Sequence, residues 1–501
     1  MKRKNSRKTN RKRLLGTLTT IVWGMFLLTG CGNGPATPLE SLSPDLGRAG
    51  MENQGNQGQE VQGGSQDQNG QGVPGQDGQA GQVQGGRTRL TLGVLGYTGV
   101  SGMQHLLEAY NAQSKEYYVE LVEYQPEHAD LEASTDRFCM DLATGKGTDL
   151  VLFGGGMVPD ELGHAGVILD LNAFLTAEEK QEKYLGNILE CAQTGNALYE
   201  ISPAFTLGFI VGDGGRIGMD SRWTLEEMQE SFARWGRDGL ALAKGQGRTV
   251  ERLVEASIED YVDWDAGTAD FCKEEFYRIL EFGKATDNRE WICPTRESVA
   301  SGTHLASCEG IVNVADMQYF RWLFGDNAVV KGFPCSHGTG VAVSIQQDSM
   351  VICSYSQYPE GAWDFLEYYV GAAWTEWEFS IEGDLIQKNF SNYFGGLPVN
   401  RQMFEKMLEE SMVQQYYDNG EPCPVLQGEG EVPDFYAHTA QDVEMLREVV
   451  ALADRRYLPD QSVICQIIGE EISGYNADIL TAQQTAERIQ NRVQLYLDEW
   501  K

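Results

Sequence analysis

The chain has 501 residues, of which 41% are apolar and 10% aromatic, enough to bury a sizeable core, and it carries a formal net charge of −34 at pH 7. So acidic a chain repels nucleic acid and the anionic face of a bilayer, which argues against a phosphate-backbone grip or a polybasic lipid contact. At this length a single hydrophobic core rarely suffices, and two units are expected.

Eight of the 39 Lys and Arg, and none of the 73 Asp and Glu, fall between Met1 and Arg13, and Leu14 to Thr29 is almost wholly apolar. A basic start followed by an apolar run predicts a secretory signal over residues 1–30. The run is shorter than the roughly 20 residues of a spanning helix. It ends in Leu28-Thr29-Gly30-Cys31, which resembles the lipobox of bacterial lipoproteins. That resemblance implies cleavage before Cys31, acylation of its thiol (palmitate among the chains) and attachment to the lipid bilayer there. Without the leader the net charge becomes about −42, and no nucleic-acid partner is expected. From Cys31 to Arg87 the composition turns to Gly, Gln, Asn, Asp and Pro with no apolar periodicity. Such a chain is a flexible tether, with a reach on the order of 40 Å for about 56 residues.

Beyond the tether the pattern alternates. Arg89 to Leu95 reads as a strand, followed by Gly96-Tyr97-Thr98-Gly99. Met103, Leu106, Leu107 and Tyr110 recur at helical spacing, and Tyr118 to Tyr124 alternates as a strand. The spacing predicts a helix over 131–143, then a turn at Gly145-Lys146-Gly147-Thr148-Asp149 into a buried strand, Leu150 to Phe153, that breaks into Gly154-Gly155-Gly156. The order strand, helix, strand, helix, strand predicts an α/β class with parallel pairing. Two capping boxes mark later helix starts, Thr224 with Glu227 and Thr481 with Gln484. The last helix carries Ala486, Ile489, Val493, Leu497 and Trp500 on one face.

The Gly-Tyr-Thr-Gly loop, the Gly-Lys-Gly-Thr-Asp turn and Gly166-Val167-Ile168-Leu169-Asp170-Leu171 come in a telling order. Further along the chain are Ala197 to Pro203, Arg222-Trp223-Thr224-Leu225-Glu226-Glu227, Tyr261 to Asp265, Lys331-Gly332-Phe333-Pro334 and Gly361 to Leu366. In that order they resemble the extracellular solute-binding proteins, family 1 and of carbohydrate type, that feed bacterial ABC importers. Thr148 stands where that family usually has proline. The resemblance implies a periplasmic-binding-protein type II fold, two α/β lobes joined by crossover segments with the ligand in the cleft between them. Lobe 1 would comprise 88–203 plus about 341–380, and lobe 2 would comprise 204–340 plus about 381–501. It also implies a small-molecule solute, a mono- or oligosaccharide, captured by hinge closure and passed to ABC permease subunits. The protein would then be lipid-anchored on the extracytoplasmic face of the cell membrane, with no cofactor and no catalysis.

Sugars present apolar C–H faces ringed by hydroxyls, so their sites combine flat aromatics with a few carboxylates, amides or bare backbone N–H groups. On that chemistry and on the resemblance, the ligand-binding candidates are Tyr97 and Thr98 after the first strand, and Phe153, Gly154 and Gly155 at the third strand's end. Asp316, past the segment Glu309 to Val314, is another, as are Trp264 in an acidic segment and Tyr393 beside Gly395-Gly396. Plainer alternatives are capping for Tyr97 and Thr98, and core packing for Phe153 and Trp264. Enzyme signatures are absent from the sequence: it has six histidines but no His-Glu-x-x-His, no Gly-x-Ser-x-Gly and no phosphate loop. No catalytic or metal-ligating residue is expected. Nine cysteines besides Cys31, widely spaced and without a Cys-x-x-Cys pair, predict buried free thiols rather than a disulfide framework. Two other roles remain open, a sensory lipoprotein presenting its ligand to a membrane kinase and a surface glycan-acting enzyme. A peptide or polyamine ligand also remains open.

Overall fold

The computed structural model describes residues 86–95, 100–126, 130–153, 159–236, 242–243, 249–287, 294–345, 348–371, 379–381, 384–386, 396–417, 419–428, 430–458 and 462–499. The signal, Cys31 and the tether lie outside them, as does Trp500.

The first elements follow the hydrophobic pattern closely: β1 (Thr88–Val94), a helix Val100–Gln113, β2 (Tyr117–Glu123), a helix Leu131–Ala143 and β3 (Leu150–Phe153). Asp130 starts the second helix by accepting from the Ala133 N–H, which satisfies one of the free donors of its first turn. β1 runs parallel to both β2 and β3, and the intervening helices supply the crossovers that parallel pairing needs. β3 is buried at all four positions, as a strand covered on both faces should be.

The later strands are β4 (Ala204–Asp213), β5 (Leu242–Ala243), β6 (Val262–Asp263), β7 (Thr268–Ala269), β8 (Ala306–Ile311), β9 (Ala328–Lys331), β10 (Val341–Ile345), β11 (Ser349–Ile352), β12 (Phe379–Ile381), β13 (Asp384–Ile386), β14 (Leu397–Pro398) and β15 (Ala453–Arg456). Apart from the two-stranded pairs β6–β7 and β12–β13, the strands sort into two main sheets. The first has the order β11-β3-β1-β2, and the second runs β15-β10-β4-β8-β5, with β9 and β14 also paired to β4. This is the predicted α/β architecture of two sheets.

The chain passes from the first sheet to the second through Ile201–Ala204 and returns between Ile345 and Ser349. These passages lie side by side: the Ile201 N–H donates to Met350 O at 3.2 Å, the Met350 N–H donates to Ile201 O at 2.9 Å, and Phe205 pairs with Ile345. Val341–Ile345 pairs with β4, so the return to the first sheet falls at Ser349 rather than near 341. One continuous core runs from Leu90 and Leu92 through Phe205 and Phe209 to Met317 and Phe320. A second gathers Trp223, Phe232, Phe271 and Phe276 against Ile489 and Val493 of the last helix, Ala482–Asp498. Both capping boxes read from the sequence, at Thr224 and Thr481, are formed.

The segment Lys331 to Pro334 turns where the backbone is crowded. A Cβ on Gly332 would sit 1.9 Å from Thr339 O, and the Phe333 N–H donates to Gly340 O at 2.7 Å, with Gly340 at φ 79°. Gly332→Ala is therefore expected to cost about 2 kcal/mol as overpacking, read as a lower urea midpoint with an unchanged slope. An unchanged midpoint would contradict this reading of the turn.

Among the described residues no helix is long and apolar enough to cross a membrane. None of the eight described cysteines is joined in a disulfide; Cys191, Cys335, Cys353 and Cys465 are buried, as expected, whereas Cys139 and Cys272 are exposed.

Candidate functional site

The parallel strands β1 and β3 end on the same side of the first sheet, since Val94 pairs with Leu152. Beyond those ends come residues 96–99 and 154–158, which carry Tyr97, Thr98, Gly154 and Gly155; these four candidates lie outside the described residues, as does Tyr393.

Phe153 closes β3 beside the return passage: its carbonyl accepts from the Asp348 N–H at 3.0 Å, and it pairs with Ser349. Its ring is 3% exposed and stands edge-on to Phe138 at 6.4 Å, within a cluster that includes Tyr124, Leu142 and Val351. Side chains alternate along a strand, so Val151 and Phe153 fill this cluster while Leu150 and Leu152 face the larger core. In this conformation the ring of Phe153 is a core ring.

Asp316 lies past the end of β8, whose last residue, Ile311, pairs with Leu207 close to the passages. It is 5% exposed, and its Oδ2 accepts from the Val312 N–H at 2.7 Å and the Asn313 N–H at 3.0 Å. Asn313 Oδ1 in turn accepts from the Ala315 N–H at 2.7 Å. The carboxyl thus shapes the turn from β8 into the helix Ala315–Phe324. Burial pushes its pKa up to about 6 against the pull of those two backbone donors.

The residue that sequence reasoning missed is Glu309. It faces Phe209 across the β4–β8 pair, and its carboxyl accepts from the Ser307 hydroxyl. Burial, with the nearby Asp316 charge adding to it, pushes its pKa up to about 7. The signal was present in the sequence, because an acid inside a run as apolar as Ala306 to Ala315 must be either paired or protonated.

Trp264 is placed elsewhere. It sits half-buried in the turn between β6 and β7 and packs against the second core. Its neighbour Asp265 accepts from the Asn196 backbone N–H at 3.2 Å and from Asn196 Nδ2 at 2.6 Å. Phe153 and Asp316 therefore both stand at strand ends bordering the passages, and Trp264 does not. Among the described residues no group of three or more His, Cys, Asp or Glu is arranged to hold a metal ion.

No protein-family model matches the chain. No curated protein matches it either. Solved structures do. The sugar-binding protein MalE from Xanthomonas citri superposes at a TM-score of 0.52 with 13% identity, covering 82% of this chain and 98% of that one. A cyclic α-maltosyl-1,6-maltose binding protein from Arthrobacter globiformis gives a TM-score of 0.49 at 13% identity, covering 83% and 100%. An extracellular solute-binding protein of family 1 from Alicyclobacillus acidocaldarius gives 0.48 at 13%, covering 82% and 98%. The first of these likenesses fixes the fold as that of the type II periplasmic-binding proteins, the fold the sequence led us to expect.

Proposed function

We propose that this chain, built on the fold of the extracellular solute-binding proteins, is the capture subunit of an ABC importer. It takes up a mono- or oligosaccharide between two lobes and delivers it to a membrane permease. The observation that carries this reading is the pair of adjacent antiparallel passages, Ile201–Ala204 and Ile345–Ser349, that run between the two main sheets. Short connections lying side by side let the units bend as bodies around a ligand. Support for a sugar comes from the Xanthomonas citri structure named above, whose description specifies sugar binding. On this reading lobe 1 is 88–203 plus 349 to about 380, and lobe 2 is 204–345 plus about 381–501. Cys31 carries the lipid, and the acyl chains hold the protein at the membrane while the tether lets it reorient. No bond-making chemistry is assigned.

The test is thermal-shift screening of the mature chain, with Cys31→Ser to keep it in solution, against mono- and oligosaccharides, polyamines and short peptides. A ligand that binds only the native state raises the melting temperature by mass action. A sugar is expected to do so; a shift from a polyamine or peptide alone would overturn the sugar assignment.

The same assay tests Asp316. Asp316→Asn keeps an oxygen for the Val312 and Asn313 N–H groups and is expected to retain the fold while weakening sugar binding about tenfold, the scale of one charge-assisted hydrogen bond. An undiminished shift would confine Asp316 to the turn.

A further inference from the structure

Arg456 has its backbone in the second sheet and its side chain among residues that flank the first. Its main chain ends β15, where it pairs with Val343 of β10 in the second sheet. Its guanidinium, on a side chain 7% exposed, reaches residues that belong with the first. Nη1 donates to both Asp160 oxygens, at 2.9 and 3.1 Å, and to Thr194 Oγ1, while Nη2 donates to Glu200 Oε1 at 3.1 Å. Asp160 opens the helix that follows β3, Pro159–His164, and Thr194 donates to it at 2.6 Å. Glu200 directly precedes the Ile201–Met350 bridge and accepts from the Ser349 hydroxyl of β11.

Two further contacts run along the same seam. Tyr496 of the last helix donates to Glu161 at 2.8 Å, and Asn196 is held by Asp265. The cluster is thus one cation between two buried carboxylates, set at the passages themselves. Separating these charges inside a low-dielectric interior would leave each without a partner, which is strongly unfavourable. Bending of the two units has to turn about this cluster rather than pull it apart.

We propose that Arg456, clamped on Asp160 and Glu200, is the fixed pivot between the two sheets, a positioning residue that sets their relative placement without touching ligand. Its consequence for capture rests on the binding-protein reading above; the clamp itself does not.

The test uses thiols the protein already has. Cys139 lies in the helix Leu131–Ala143 against the first sheet, Cys272 lies beyond β7 against the second core, and both are exposed. In the full chain, with Cys31, Cys293, Cys308 and Cys423 changed to serine, spin labels on these two cysteines report the distance between the units by pulsed electron resonance without any ligand. The parent is expected to give one narrow distribution. Arg456→Met is expected to broaden it at least twofold, and Arg456→Lys, which keeps the charge but loses the fork, to fall between.

Should Arg456→Met not fold, two further variants give the reading: Arg456→Lys, and the triple variant with Asp160→Asn and Glu200→Gln, which leaves no uncompensated charge. A folded variant that lacks the guanidinium and keeps the parent distribution overturns the proposal. A residue that only stabilised the fold would shift the melting temperature and leave the distance unchanged. Failure of the sugar reading would show in the ligand screen and not here.

Discussion

Arg456→Met is expected to lower the free energy of unfolding by about 3–5 kcal/mol near neutral pH, the loss typical of removing one member of a buried ion cluster. The cause is what remains: Asp160, 4% exposed, and Glu200, 6% exposed, would face one another without the cation between them. Burial already pushes the Glu200 carboxyl above its ordinary pKa, with Arg456 opposing that rise and Asp160 adding to it. Deleting the guanidinium removes the opposition, so in the variant the native carboxyl takes a proton more readily than the unfolded one. Stability from such a group is present below the unfolded pKa of about 4.5 and is lost as pH rises. The deficit of Arg456→Met should therefore be smaller at about pH 5 than at about pH 8. Urea unfolding at the two pH values checks this, and an equal deficit at both would contradict it. The neutral triple variant should recover most of the loss, because apolar or neutral isosteres replace a buried ion cluster at little cost.

Glu309→Gln should act in the opposite direction and stabilise the protein at high pH. The native carboxyl holds its proton to about 7, against an ordinary value of 4.5. Between those values the unfolded chain is ionised while the native one is not, so stability falls as pH rises through that window and levels off above it. The span corresponds to about 3 kcal/mol at the upper end. Asp316, at about 6 against 3.8, adds to the same slope. Glutamine keeps an oxygen for the Ser307 hydroxyl but has no proton to lose, so the variant's urea midpoint should change less between about pH 4 and 8. Wild-type stability that stays level across this range, with no gain in the variant at the upper end, would sink the assignment of a half-buried neutral acid at Glu309.

The parts of the fold that were legible in the sequence are those fixed by local pattern. The helix Leu131–Ala143 and the strand Leu150–Phe153 fall where the apolar spacing put them. The capping boxes at Thr224 and Thr481 need only four residues each to be recognised. Phe153 was harder, because a strand buried on both faces gives no alternation from which to tell core from site. Val341–Ile345 is an apolar run that suits either sheet, and only its pairing with β4 decides. The turn contacts of Asp316 were not legible, because a turn-forming acid and a binding acid have the same one-letter signature after a strand. The Arg456 cluster had no local signal at all: its partners are 256 and 296 residues away in the chain, and only the folded structure brings them together.

The measurement that bears most directly on the account is isothermal calorimetry of the mature chain with the sugars that raise its melting temperature. Capture between two lobes predicts saturable binding of one sugar per chain, with a negative heat-capacity change as apolar surface is buried. No saturable heat from any mono- or oligosaccharide, together with clear one-to-one binding of a polyamine or peptide, would contradict it.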